Sequence, residues 1–164
     1  MGNSVSLRYM SDEDFGEYLR DAIDRYALAQ VAAKVCGPED AKAVAVKTYE
    51  KLLPNGVGTH GHHLYNAFNA MEKVGMIWLA EQDRVRKTGF IYDVIVVNAL
   101  RRRGIGLAIL RAGEGMARLM GLETLRLHVV GDNFAARGLY RKAGFGEASV
   151  VMVKELSDPI EQRT

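Results

Sequence analysis

Apolar residues recur at helical spacing soon after the start of the chain: Phe15, Leu19, Ala22, Ile23 and Tyr26 form one stripe that runs to about residue 34. Ser11 stands where it can cap this helix, and Asp12, Glu13 and Asp14 suit the positive end of its dipole. A second helix opens at Gly37-Pro38, where a proline in the first turn forfeits no hydrogen bond. Ala41, Val44, Ala45, Thr48 and Leu52 line its inner side, and Pro54-Asn55-Gly56 ends it. Residues 56–61 read as a loop leading into Thr59-His60-Gly61-His62-His63. The pattern then changes to strands, at about 63–68, 74–81 and 88–97. A third helix is predicted from about 104 to 121, with Ile109, Ala112, Gly113, Met116, Ala117 and Met120 inward and Arg111, Glu114 and Arg118 outward. Residues 124–130 read as a strand with Leu125, Leu127 and Val129 on one side and Arg126 and His128 on the other. A fourth helix over about 133–143 and a last strand over about 147–155 follow. Trp78 and the methionines read as core. Strands and helices alternating in the second half argue for an α/β layer fold.

The 164 residues fit a single domain, 1–164, with no repeat or linker to divide it. A net charge of +2 is too small to imply a nucleic-acid or membrane surface, so neither is expected as a partner. Cys36 is the only cysteine and has no internal disulfide partner, which suits a reducing cytoplasm. The first residues carry Arg8, Asp12 and Glu13 instead of an apolar leader, and no apolar run approaches the roughly 20 residues needed to span a bilayer. These features lead us to expect a cytoplasmic protein.

The stretch that bears on chemistry is Val94-Ile95-Val96-Val97-Asn98-Ala99-Leu100-Arg101-Arg102-Arg103-Gly104-Ile105-Gly106-Leu107. A β-branched strand enters a basic turn with two glycines, and a helix begins at once. Glycine lets backbone approach an anion, and a helix start offers unpaired N–H groups. That combination is a pyrophosphate cradle; the plainer reading is a solvated charge run in which the glycines only turn the chain. A P-loop would need Lys and then Ser or Thr where Leu107 and Ala108 stand, and a dinucleotide fingerprint would need a third glycine.

Arg101-x-x-Gly104-x-Gly106 resembles the acetyl-CoA signature of the GNAT acetyltransferase superfamily. Asn133-Phe134-Ala135-Ala136-Arg137-Gly138-Leu139-Tyr140-Arg141-Lys142-Ala143-Gly144-Phe145 resembles that family's later Asn-x-x-Ala-x-x-Leu-Tyr-x-x-x-Gly-Phe helix. The stretch from Leu52-Leu53-Pro54 to His62-His63-Leu64 is similar to one in a largely uncharacterised bacterial branch of the family. The resemblance implies a mixed, mostly antiparallel central sheet with splayed central strands, flanked by about four helices. It implies an acetyl-CoA-dependent N-acetyltransferase acting on a primary amine of a small molecule, peptide or protein. A different acceptor atom, a longer acyl donor and a non-catalytic acyl-CoA sensor are the alternatives.

By the same resemblance, Val94, Ile95 and Val96 pair their backbone with the pantetheine arm. The N–H groups of Arg102, Arg103, Gly104, Ile105, Gly106 and Leu107 hold the pyrophosphate, with the side chains of Arg101, Arg102 and Arg103 facing the phosphates. Asn133 lies near the pantetheine, or simply caps its helix. Tyr140 is the expected acid for the departing thiolate; its plainer role is packing beside Leu139 and Phe145. The base is His128 or Asp93: histidine titrates near neutrality, whereas a strand aspartate can also serve a buried hydrogen-bond network. No metal is expected, because His60, His62 and His63 lack a ligand spacing typical of zinc; their loop fits the border of the acceptor cleft or simply caps the first strands. A homodimer, frequent in the family, is a further expectation.

Overall fold

Ser11 begins the first long helix, its Oγ accepting the Asp14 N–H at 3.1 Å; this helix, α1, runs Asp12–Ala32. Gly37 precedes α2, Pro38–Leu52, with the proline in the first turn. The computed structural model describes residues 4–154 and 156. Its strands are β1 (Ser6–Tyr9), β2 (His62–Asn69), β3 (Glu72–Asp83), β4 (Thr88–Val96) and β5 (Thr124–Leu127), lying in that order in one sheet. The first four are antiparallel neighbours, and β5 joins parallel to β4. A parallel neighbour needs a crossover, which α3 (Ile105–Leu119) supplies. The last helix, α4, covers Phe134–Lys142. This is the mixed, mostly antiparallel sheet with four helices expected from the sequence.

Each face of the sheet has its own core. On one face Tyr65, Ala67, Val74, Ile77, Leu79 and Ile91 meet Ile105, Ile109 and Leu110 of α3. Full burial of such side chains stabilises the fold by about 1.5–3 kcal/mol each. Gly113 lets α3 lie close: a Cβ there would stand 2.6 Å from Ile77 Cδ1. On the other face Met10, Tyr18, Ala22 and Leu53 cover Leu64, Met76 and Trp78. Behind them α2 packs on α1 through Ala27, Ala41 and Ala45.

The structure departs from the sequence reading in four places. β1 was not anticipated; four residues with one half-buried position are too short to give an alternating pattern. The strand expected at 124–130 stops at Leu127, because its pairing with β4 ends at Ile91↔Leu127 and the chain beyond is exposed. The last strand expected over 147–155 is not formed in its described part, 147–154; residue 155 lies outside the described residues. There Glu147 is tied back to Arg137 and Arg141 of α4, and Val150, Val151, Met152 and Val153 are left exposed. Met10 and Met76 are core, whereas Met71 is 80% exposed because it sits in the β2–β3 turn.

Candidate active site

β4 and β5 stay paired only from Thr88↔Thr124 to Ile91↔Leu127. Beyond that point β4 continues to pair with β3 up to Gly75↔Val96, so its other edge opens toward α3 and α4. Val94, Ile95 and Val96 lie along this opening, half-buried; Val94 and Val96 pack toward α3, Ile95 toward the Trp78 cluster. Residues Asn98–Leu100 make a single helical turn, and the chain reaches the three arginines. All three are exposed. Arg101 donates from Nε to the Val96 carbonyl at 3.3 Å, folding back over the strand end.

Gly104 caps α3 at φ 82°, a left-handed conformation that disfavours any residue with a Cβ. The first intrahelical bond runs from Ala108 N to Gly104 O at 3.1 Å. The N–H groups of Ile105, Gly106 and Leu107 therefore have no carbonyl of their own turn, no side chain caps them, and the first turn holds no acidic residue. Such an end suits the diphosphate of a donor substrate. Ile105 contributes only backbone here, its side chain being core. Gly106 has a packing reason as well: a Cβ would stand 3.0 Å from Leu139 Cδ2, so the glycine lets α4 approach.

At the start of α4, Asn133 caps the helix, its Oδ1 accepting the Ala136 N–H at 3.1 Å. Tyr140, on the same helix, packs edge-on to Phe145 at 5.9 Å between ring centroids. Burial holds its phenol above the usual tyrosine range, and the charge of Asp93 adds to this. Asp93 and Tyr140 thus lie within electrostatic reach of each other although they come from different elements.

A bulge explains where Asp93 points. Trp78 pairs with Asp93 and Leu79 with Ile91, so Tyr92 is an extra residue in β4. A bulge bends its strand and re-aims side chains. Here the Tyr92 ring stacks on Trp78 at 4.5 Å, and Asp93 turns to the same α1-covered face. Its Oδ2 accepts Tyr18 Oη at 3.2 Å and Arg25 Nη2 at 2.9 Å. Burial pushes the Asp93 carboxyl up, against the opposing pull of Arg25 and Tyr18, and the net direction is upward. The Tyr18 phenol is raised in turn, by burial first and by Asp93 next.

His128 follows the end of β5, exposed, and meets Phe90 edge-on at 5.2 Å. Phe90 lies 4.9 Å from Tyr92, so His128 joins the Asp93 face at the far end of an aromatic strip. Of the loop histidines only His62 belongs here: its Nδ1 accepts Trp78 Nε1 at 3.1 Å and its ring lies 5.6 Å from Tyr92. Burial, then the neighbouring His63, hold it below the usual histidine range. His60 contacts Arg84 and His63 contacts Glu81 and Tyr9, away from the opening. Among the described residues no three or more His, Cys, Asp or Glu side chains gather as a metal would need. No described helix is long and apolar enough to cross a membrane.

Tyr18, Arg25, Trp78 and Tyr92 carry no motif, and the sequence reading missed their part in the site; His62 it set at the border of the acceptor cleft with His60 and His63. The aromatic run Phe90-Ile91-Tyr92 before Asp93 was the one available signal.

The model of the Acetyltransferase (GNAT) family matches residues 38–145. The chain belongs to the GNAT family. It is 37% identical to the uncharacterised N-acetyltransferase YycN of Bacillus subtilis over 155 residues, 93% of this chain and 99% of that one. The crystal structure of YycN superposes with a TM-score of 0.88 at 35% identity, covering 94% of this chain and 100% of that one. Spermidine N-acetyltransferase of Vibrio cholerae shares the fold at 16% identity, with a TM-score of 0.65 over 90% of this chain and 84% of that one. This GNAT protein is an acetyl-CoA-dependent N-acetyltransferase, a bacterial-type member of the family, and the acetyl group is what it transfers.

Proposed function

We propose that this acetyltransferase delivers its acetyl group to a primary amine, on a small molecule, a peptide or a protein. The observation that supports the reading is the opening beside β4, where pairing with β5 ends at Ile91↔Leu127 just before Asp93, a carboxyl held by Tyr18 and Arg25 and suited to take a proton, while Tyr140 of α4 is suited to give one. The donor's pantetheine arm pairs with the backbone of Val94, Ile95 and Val96, and Asn133 lies beside it. The N–H groups of residues 102–107 hold the pyrophosphate, Ile105, Gly106 and Leu107 foremost, with the arginines nearby.

The amine nitrogen attacks the thioester carbonyl; the C–N bond forms, the C–S bond breaks, and the sulfur leaves with the electron pair. Tyr140, kept protonated by its burial, hydrogen-bonds the sulfur and supplies its proton; the proton that the nitrogen sheds on becoming an amide returns to the phenol through water. An ammonium acceptor must first lose a proton. Asp93 takes it, directly or through water, and the raised carboxyl makes it a better base than an exposed aspartate. Arg25 and Tyr18 fix its orientation.

The test is the pH profile of thiol release with two primary amines of different basicity. Asp93→Asn is expected to lower turnover about 10²-fold or more, with acetyl-CoA affinity retained, while His128→Gln keeps the wild-type profile. A neutral-range ionisation lost only in His128→Gln, with Asp93→Asn active, transfers the role to His128. An inflection that tracks the amine in every variant points to a water relay. No thiol release with any primary amine, in protein that binds acetyl-CoA, sinks the amine reading.

A further inference from the structure

We infer that the aromatic strip beside Asp93 is the acceptor's binding wall, and that it selects a primary amine borne on a flat aromatic body over polyamines and aminoglycosides. The inference rests on the amine reading above and adds the substrate class.

Phe90, Tyr92 and His128 form the surface of the strip, and Trp78 and His62 support it from behind. Trp78 is 2% exposed, whereas Tyr92 keeps 38% of its surface free on a covered sheet face. The bulge that frees the Tyr92 ring is the same one that turns Asp93 to this face. A ring stacked along Tyr92 therefore lies beside the carboxylate that would deprotonate its amine. Rings stack well on rings, and the gain exceeds simple burial.

Charge decides against the alternatives. A polyamine or aminoglycoside brings several ammonium groups, each needing a counter-ion. Asp93 is already engaged by Arg25 and Tyr18, and Glu81, one strand away, by Arg84 and His63. Among the described residues, two arginines border the strip. Arg126 sits opposite Phe90 in the register and is exposed, and Arg25 is half-exposed. The further ammonium groups of a polycation meet those arginines, while a single ammonium on an aryl group needs Asp93 alone, shared with Arg25 and Tyr18. An α-carboxylate, as on an aromatic amino acid, adds an attraction to the arginines.

The test has a binding arm and a turnover arm. In protein saturated with free CoA, 2-phenylethylamine, phenylalanine, spermidine and kanamycin are titrated calorimetrically; with acetyl-CoA, each is assayed for thiol release. Both aryl amines are expected to bind and to show kcat/KM at least tenfold above spermidine and kanamycin. Tyr92→Ala and Tyr92→Leu are expected to raise KM for 2-phenylethylamine about tenfold with kcat within a few-fold, and Tyr92→Phe to restore it. Two variants guard against a folding defect in either one. Preference for spermidine or kanamycin, or a KM indifferent to Tyr92, overturns the inference and leaves the amine reading standing. Tyr92-dependent binding without any thiol release does the reverse. Absence of aryl-amine binding overturns the inference whatever the turnover.

Discussion

The two faces of the sheet are built from different chemistry. Against α3 most of the buried contacts are aliphatic, Tyr65 apart: Val74, Ile77, Leu79 and Ile91 on the strands, Ile105, Ile109 and Leu110 on the helix. Against α1 and α2 the same strands present Trp78 and Asp93, met by Tyr18 and Arg25, with the Tyr49 ring tilted against Trp78 at 6.1 Å. Aliphatic packing is non-directional and can only hold the sheet in place. Aromatic edges, hydroxyls and a half-buried ion pair are directional, and they fix where a substrate and a proton can go. The first face is scaffold; the second is the one we propose for the acceptor, and the opening at β4 lies between them.

The largest effect should come from the group that stands at the junction. Tyr140→Phe keeps the ring against Phe145 and removes only the hydroxyl. Turnover is expected to fall on the order of 10²–10⁴-fold with acetyl-CoA affinity and Tm nearly unchanged. Wild-type turnover would make Tyr140 a packing residue and extend the scaffold face into α4.

The elements of the proposed donor site, and Asp93 and His128 as candidate bases, can be read from the sequence; the partners that hold Asp93 cannot. The cradle and the final helix consist of local signals: a strand, a glycine turn, a helix start and a capping asparagine, all close in the chain. Asp93 depends on Tyr18 and Arg25, 75 and 68 residues away, and no local pattern announces such partners. Strict alternation along β4 would put Tyr92 and Asp93 on opposite faces; one extra residue opposite Trp78 puts them on the same one. The terminal strand failed for a similar reason. Its apolar run, 150–153, three valines and a methionine, satisfies a local propensity, but strand formation needs a partner, and Glu147 is held to α4 instead.

A change confined to the scaffold face should separate stability from chemistry. Ile109 is fully buried between α3 and the sheet. Ile109→Ala should cost about 2–5 kcal/mol in chemical denaturation, while turnover per folded molecule and KM for the acceptor stay near wild type. A selective rise in acceptor KM would show that the two faces are not separable in this way.

The smallest effect, and the most diagnostic of the directional face, is expected from Arg25→Ala. The Arg25–Asp93 pair is 2.9 Å long, with 47% of the arginine and 26% of the aspartate side chain exposed. Removing one partner of a fully buried pair costs several kcal/mol; solvent at this one reduces the expected loss to about 1–2 kcal/mol at pH 7. Asp93 already titrates above the ordinary carboxylate range in the folded protein, burial being the first cause. Its ionised form is therefore the costly one in the fold. The stability linked to its proton is complete below the unfolded-state pKa of about 4 and is lost as pH rises through the higher folded value. Without Arg25 the folded value rises further, so the loss continues to higher pH and is larger at neutral pH. The gap in unfolding free energy between wild type and Arg25→Ala should accordingly be widest near pH 7 and shrink as the solution is acidified toward pH 4. Asp93→Asn in the Arg25→Ala background should remove that pH dependence, since no buried charge is left to strand. Denaturation curves at several pH values read this directly. A gap that stays constant with pH would mean that Arg25 stabilises α1 through its aliphatic stem and its contact with the Tyr18 ring, 6.0 Å away, and that the carboxylate is held by Tyr18 and its backbone alone.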